Sequence, residues 1–187
     1  MKELPPDKRA PAPRECIRLL RRYQVPIHII RHCIKVKKVS DVLAARLTES
    51  GLRLDAGLVG AGAALHDIAK MRALHAGGGL RHAELGAEML KEHGLRQVAE
   101  IVRQHVVLDQ PAARYSRPDE AMVVNYADKR VRHTEIVTLE ERFQDLFDRY
   151  GRDSDSVARI ERLYEETRIM ERLIFDIIGI EPDRLEF

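Results

Sequence analysis

The stretch Leu58-Val59-Gly60-Ala61-Gly62-Ala63-Ala64-Leu65-His66-Asp67-Ile68-Ala69-Lys70 decides how this chain is read. It is an apolar helix, with Asp55 as a plausible N-cap and an end near Met71. Its last turns carry an imidazole, a carboxylate and an ammonium. A core-facing helix turn seldom carries such groups unless partners or a metal ion offset their burial. The low-charge run from Ala56 to Ala69 is too short to span a bilayer and is interrupted by His66-Asp67.

Working outward from this helix, every long segment reads as helical and none shows sustained period-two alternation. Residues 1–13 hold Pro5, Pro6, Pro11 and Pro13 and read as a flexible lead-in. A short helix over about Arg14 to Tyr23 stops before Pro26. From Ile27 to about Glu49, the residues Ile30, Ile34, Val39, Val42, Leu43 and Leu47 recur at helical spacing, and Gly51 suits a C-terminal cap. Gly77-Gly78-Gly79 reads as a loop. Helices follow over Arg81 to His93, closed by Gly94, and over Gln97 to Val107, ending near Pro111. Ser116 and Pro118 announce another, with Asp119 and Glu120 in its first turn. Thr138-Leu139-Glu140-Glu141 is a capping box feeding a helix to Tyr150. The last helix runs from about Ser154 to Ile178. Its stripe Ile160, Leu163, Thr167, Met170, Ile174 and Ile177 packs by default on the chain's own core, with a homodimer seam as the other use. The expectation is an all-α fold with a flexible segment over 1–13, a helical domain over 14–135 and a helical extension over 136–187.

Composition narrows the function. With 187 residues, 44% apolar and 33% charged, the chain is sized for one soluble domain. No charged segment followed by an apolar one opens it, so a cytoplasmic location and no membrane partner are expected. Cys16 and Cys33 form neither a disulfide framework nor a CxxC motif, which argues against thiolate zinc ligation. Residues 1–38 hold eleven Lys or Arg against three acidic residues, a balance that could draw in phosphate-bearing ligands. Aromatic residues are only 5% with no Trp, which argues against a stacking platform for nucleic acid.

The chemistry-bearing residues are His32, the pair His66-Asp67, His82, His105 and Asp128, all in segments that read as helical. Taken singly, a histidine in an amphipathic helix is more often a core or surface residue than a ligand. The order His, His-Asp, His, His, Asp on successive helices is far more demanding, and it suits a metal site built from helix side chains. Lys70 lies three residues after Asp67 and four after His66, on the same helix face, where its ammonium could hold a phosphate. His28 lies one turn before His32 and reads as a packing or surface residue, while His75 and His93 read as exposed.

At His32, at Ala63-Ala64-Leu65-His66-Asp67-Ile68-Ala69-Lys70 and at Asp128 in Tyr126-Ala127-Asp128-Lys129, the sequence resembles the HD-domain superfamily of metal-dependent phosphohydrolases. The resemblance covers roughly residues 26–135. One departure is Ala69, where many members have Gly. The two extra histidines resemble the binuclear members, which include symmetric diadenosine tetraphosphate hydrolases. The resemblance implies that His32, His66, Asp67 and Asp128 hold one divalent metal and that Asp67 bridges to a second held by His82 and His105. Iron or manganese is favoured, with zinc, cobalt or magnesium as alternatives. It further implies hydrolysis of a small phosphorylated substrate such as a nucleotide. Asp67 and Lys70 would then be catalytic, and Lys70, Arg72 and Arg130 would contact the substrate. The same ligand set also serves di-iron oxygenases, and a regulatory domain could retain it around a structural metal.

Overall fold

The structure is a computed structural model that describes residues 10–77 and 81–186. Helix α1 spans Pro13–Arg22 and α2 spans Ile27–Glu49; α3 is Ala56–Leu65, α4 Lys70–His75, α5 His82–Glu92 and α6 Arg96–Arg103. They are followed by α7 (Glu120–Lys129), α8 (Leu139–Tyr150) and α9 (Ser154–Ile178). Between α7 and α8, a small antiparallel hairpin pairs β1 (Val131–Arg132) with β2 (Glu135–Ile136). The fold is all-α apart from this hairpin. Among the described residues, no helix is long and apolar enough to cross a membrane. Most of the lead-in over 1–13, and Gly78 and Gly79 of the glycine loop, lie outside the described residues; Gly77 has φ +72°.

Caps fix where the helices begin. The Asp55 side chain accepts from the Leu58 N–H at 3.0 Å, that of Asp119 from Met122 at 2.8 Å and that of Asp153 from Ser156 at 2.8 Å. Thr138 and Glu141 form the reciprocal capping box. The Asp55 N–H also donates to Glu120 Oε1 at 2.9 Å, tying the start of α3 to the start of α7. Both helices have 10 residues. Equal lengths from a shared origin bring their far ends, with His66 and Asp67 on one and Asp128 on the other, to the same depth, ~15 Å along.

Two helix ends differ from the sequence expectation, and both differences have the same local cause. Helix α3 stops at Leu65, and residues 66–69 form a turn in which Ile68 N–H bonds to Leu65 C=O and Lys70 N–H to Asp67 C=O, each at 3.0 Å. His66 Nδ1 bonds to Ala63 C=O at 2.8 Å, taking the acceptor that a continuing helix would give to Asp67 N–H. Likewise α6 ends at Arg103, two residues before His105, whose Nδ1 sits 2.6 Å from Val102 C=O. His66, Asp67 and His105 are therefore turn residues, not helical ones.

Helices α2 and α3 stand between two apolar half-cores. On one side Val36, Val39, Leu43, Val59 and Ala63 meet Met122, Val123 and Tyr126 of α7, Phe143 of α8, and Ile160, Met170 and Ile174 of α9. On the other, Ile29, Cys33, Ala61 and Leu65 meet Cys16 and Leu20 of α1, Leu90 of α5, and Val98 and Val102 of α6. The α9 stripe packs on the chain's own core, and Ile34 of α2, one of the residues at helical spacing, is 52% exposed. Small residues set the approach distances. A Cβ at Gly62 would lie 2.4 Å from Ile101 Cγ2 of α6, and one at Gly86 of α5 would lie 3.2 Å from Val102 Cγ1 and 3.3 Å from Ile68 Cγ2. The absence of those two methyl groups lets α3, α5 and α6 converge on the 66–69 turn.

Candidate metal centre

The six residues singled out in the sequence come together in one buried cluster. His32 projects from the middle of α2, His66 and Asp67 from the turn after α3, His82 from the first turn of α5, His105 from the segment after α6, and Asp128 from the last turn of α7. His66, Asp67 and His105 are at most 1% exposed. The imidazoles form a row, with ring centroids 5.2 Å apart for His32 and His66, 4.9 Å for His66 and His105, and 4.9 Å for His105 and His82.

Asp67 sits between two groups of donors. Its Oδ2 lies 3.5 Å from His66 Nε2 and 4.0 Å from His32 Nε2, while its Oδ1 lies 3.3 Å from His82 Nε2 and 3.8 Å from His105 Nε2. Asp128 Oδ1 joins the first group, 3.0 Å from His32 Nε2 and 3.5 Å from His66 Nε2. Two ligand clusters result, His32-His66-Asp67 and Asp67-His82-His105, each with its donor atoms within 4.8 Å of one another. The two oxygens of one carboxylate thus face different clusters.

The tautomers are aligned for metal binding. Nδ1 of His32 bonds to His133 C=O at 2.9 Å, that of His66 to Ala63 C=O and that of His105 to Val102 C=O. A backbone carbonyl only accepts, so each Nδ1 carries a proton and each ring turns its Nε2 toward the cluster. Two inward atoms, His66 Nε2 and Asp67 Oδ1, are buried with no hydrogen-bond partner. Such orphaned atoms are costly in a core, and imidazole nitrogen with carboxylate oxygen is a donor set suited to iron, manganese, zinc or cobalt. These residues fit a metal.

Electrostatics agree. Burial alone would raise the Asp67 carboxyl, but His66 and Lys70 outweigh it and hold it well below the usual carboxylate range. Asp128 is held down in the same way by its bond to His32 and the nearby His66 ring. Burial opposes a proton on His66, yet the neighbouring Asp67 and Asp128 push its pKa well above the ordinary value. On His105, burial and the adjacent His66 and His82 act together and push it well below. Lys70 Nζ lies 2.6 Å from Asp67 Oδ2 and is 40% exposed, so it stands at the edge of the cluster with one face to solvent.

The remaining expectations fare unevenly. Arg72 is exposed on α4. Arg130 is 6% exposed and is built into the core, with Nε donating to Val137 C=O at 2.8 Å and a terminal nitrogen donating to Tyr126 Oη at 2.6 Å beside Glu171 on α9. Expected at the substrate, it instead ties the end of α7 to the residue after β2 and to α9. His28 and His75 are exposed, whereas His93 is half-buried against Tyr23 Oη at 2.7 Å. Sequence reading gave no role to Asn125 or Lys129, both buried beside the cluster; burial pushes the Lys129 ammonium down to about 8. The available signal was a polar pair at i, i+4 inside the apolar run from Ala121 to Lys129.

Comparison with known proteins agrees with this geometry. A family model described as HD domain matches residues 29–153, from the start of α2 to the end of α8. An uncharacterized protein of Methanocaldococcus jannaschii is 28% identical over 151 residues, covering 74% of this chain and 87% of that protein. A tRNA (cytidine(56)-2'-O)-methyltransferase of Picrophilus torridus is 30% identical over 166 residues, covering 81% of this chain and 45% of that protein. This chain therefore spans less than half the length of that methyltransferase. No solved structure matches. The match extends over most of the chain and over every residue of the cluster, and the chain belongs to the HD domain family, whose members are mostly metal-dependent hydrolases.

Proposed function

We propose that this chain is a metal-dependent phosphohydrolase that cleaves a phosphoester or phosphoanhydride bond of a nucleotide or another small phosphorylated compound. The observation that carries this reading is the Asp67 carboxylate, which lies between two histidine clusters with Lys70 on its Oδ2. His32, His66, Asp67 and Asp128 would hold one divalent ion, and Asp67, His82 and His105 would hold a second. Ions bound there supply Lewis acidity that activates a water molecule and offsets charge on phosphoryl oxygens.

The protein's own part is orientation and charge. The three Nδ1–H bonds to backbone carbonyls hold the rings of His32, His66 and His105 with Nε2 toward the cluster before any ion enters. Lys70 has one N–H spent on Asp67, and its exposed face leaves the others for a phosphate oxygen. Burial works against its ammonium, and Asp67 and Asp128 more than compensate, so Lys70 stays cationic at neutral pH. That fixed positive charge at the mouth of the site fits a phosphate better than an oxygen-chemistry substrate.

The test is release of phosphate or nucleotide, without oxygen, from mononucleotides, dinucleoside polyphosphates and simple phosphomonoesters, with manganese or ferrous iron added. A tRNA joins the panel because one relative is named for a tRNA target. Metal-dependent release that Asp67→Ala abolishes is the expected result. Turnover that requires oxygen, or none on any phosphorylated compound, overturns the proposal.

A further inference from the structure

Helix α7 contributes more than Asp128 to the centre. Asn125 and Lys129 lie one turn apart on it, are 0% and 6% exposed, and face the chain that leaves α6. That chain has no following helical turn to bond its last carbonyls, which must find partners elsewhere if buried. Asn125 Nδ2 donates to Gln104 C=O at 2.7 Å. Lys129 Nζ donates to His105 C=O at 2.7 Å and to Val106 C=O at 3.2 Å, and it closes the arrangement by donating to Asn125 Oδ1 at 3.0 Å. Three consecutive carbonyls are thus held by two side chains of one helix. The middle one belongs to His105, whose ring reaches the Asp67-His82-His105 cluster while its Nδ1 is fixed on Val102 C=O.

We infer that Lys129 and Asn125 are positioning residues for the second metal: they clamp the backbone of His105 and thereby fix its Nε2 against Asp67. None of these bonds reaches the donors of the other cluster, so the clamp acts through His105 on one subsite. A lysine suits the task because its ammonium bonds three acceptors at once, and a helix C-terminus favours a positive charge. Asp128 and the clamp share one helix, so α7 sets the register of both subsites with respect to each other.

The inference rests on the two-metal reading, and one experiment separates them. Manganese or cobalt(II) content and affinity are measured on wild type, Lys129→Met, Asn125→Ala, Lys129→Arg and, as reference, His105→Ala. Wild type is expected to bind two ions per chain; fewer overturns the two-metal reading and this inference with it. With two bound, Lys129→Met is expected to weaken one ion about 10- to 100-fold, as changes behind a metal ligand do, while the other stays tight. Asn125→Ala shifts the same ion by less, and Lys129→Arg restores part of the loss. Combining Lys129→Met with His105→Ala adds no further metal defect, because the ligand being positioned is already gone. Unchanged binding in folded Lys129→Met, or parallel loss of both ions, overturns the clamp. So does failure of both Lys129→Met and Asn125→Ala to fold, since the pair would then serve the core as a whole.

Discussion

Gly62→Ala tests whether the closeness of α3 and α6 is what assembles the centre. The new methyl would lie 2.4 Å from Ile101 Cγ2 and 3.1 Å from Ile101 Cβ, and Ile101, 5% exposed and branched at that atom, cannot swing clear. Restoring ordinary contact requires the helices to part by roughly 1 Å. Overpacking of this kind costs about 1–3 kcal/mol, and the better helix propensity of alanine returns ~1 kcal/mol. The net loss is about 1 kcal/mol, a fall in Tm of roughly 3 °C for a chain of this size. The metal centre feels the same displacement far more. His105 follows directly on α6, and ligand distances tolerate only about 0.2 Å, so one ion should weaken at least ~10-fold. Thermal denaturation of metal-free protein, combined with manganese titration, reads both quantities. A variant more stable than wild type that still binds both ions tightly would refute the reasoning, because alanine's propensity would be acting without a clash. Adding Ile101→Ala should recover metal affinity in the Gly62→Ala background, although Ile101→Ala alone leaves a cavity and destabilises by ~2–5 kcal/mol.

Three further expectations bear on the centre. Arg130→Met should cost ~3 kcal/mol in denaturant unfolding, by stranding the Val137 carbonyl and leaving the hydrogen-bonded Tyr126–Glu171 pair without its cation, while metal content stays at the wild-type value; a loss of turnover without loss of stability would return Arg130 to the substrate. Lys70→Met should lower kcat/KM with both ions retained, and loss of metal instead would assign Lys70 to ligand support. The raised His66 pKa sets a pH dependence with a definite sign: the proton's contribution to metal-free stability is full below the ordinary imidazole value and is lost as pH rises through the raised one. A metal ion must displace that proton, so manganese affinity should climb with pH up to the raised value, by at most tenfold or ~1.4 kcal/mol per unit for one proton. Calorimetric titration in buffers of different ionisation enthalpy reads proton release directly, and binding independent of pH over this range would contradict the shift.

Much of this was legible in the chain. Asp55, Asp119, Thr138 and Glu141 announce helix starts because capping is a local bond between residues three apart, and the limits of α2 and α9 follow from Pro26, Gly51 and Gly179 in the same way. The six clustered residues stood out because polar groups in apolar runs need a reason to be there. What stayed hidden was set by contacts between distant segments. The periodicity of Leu58 to Met71 runs on without a Gly or Pro to mark the stop at Leu65, which comes from a His66 ring turned back onto its own helix. Arg130 reads as a substrate contact on its positive charge alone; Val137, Tyr126 and Glu171, which claim it, come together only in the folded chain. Lys129 has the same history, since two of its three acceptors are main-chain atoms of residues more than twenty positions away.

The carbonyls that orient His32, His66 and His105 have a consequence for how this centre can change. A carboxylate in that place could be protonated, replaced or tuned by a single codon; a peptide oxygen cannot. The ring orientations are therefore indifferent to pH wherever the fold persists, and scanning the side chains one at a time would find the ligands but not what aims them. His133 makes the point most sharply: its side chain is exposed, yet its main chain, held at φ +56° in the turn of the hairpin, supplies the oxygen for His32. Moving the six ligands onto another helical scaffold would transfer the metal's donors and leave behind their aim, unless the paths of the chain at Ala63, Val102 and His133 travelled with them.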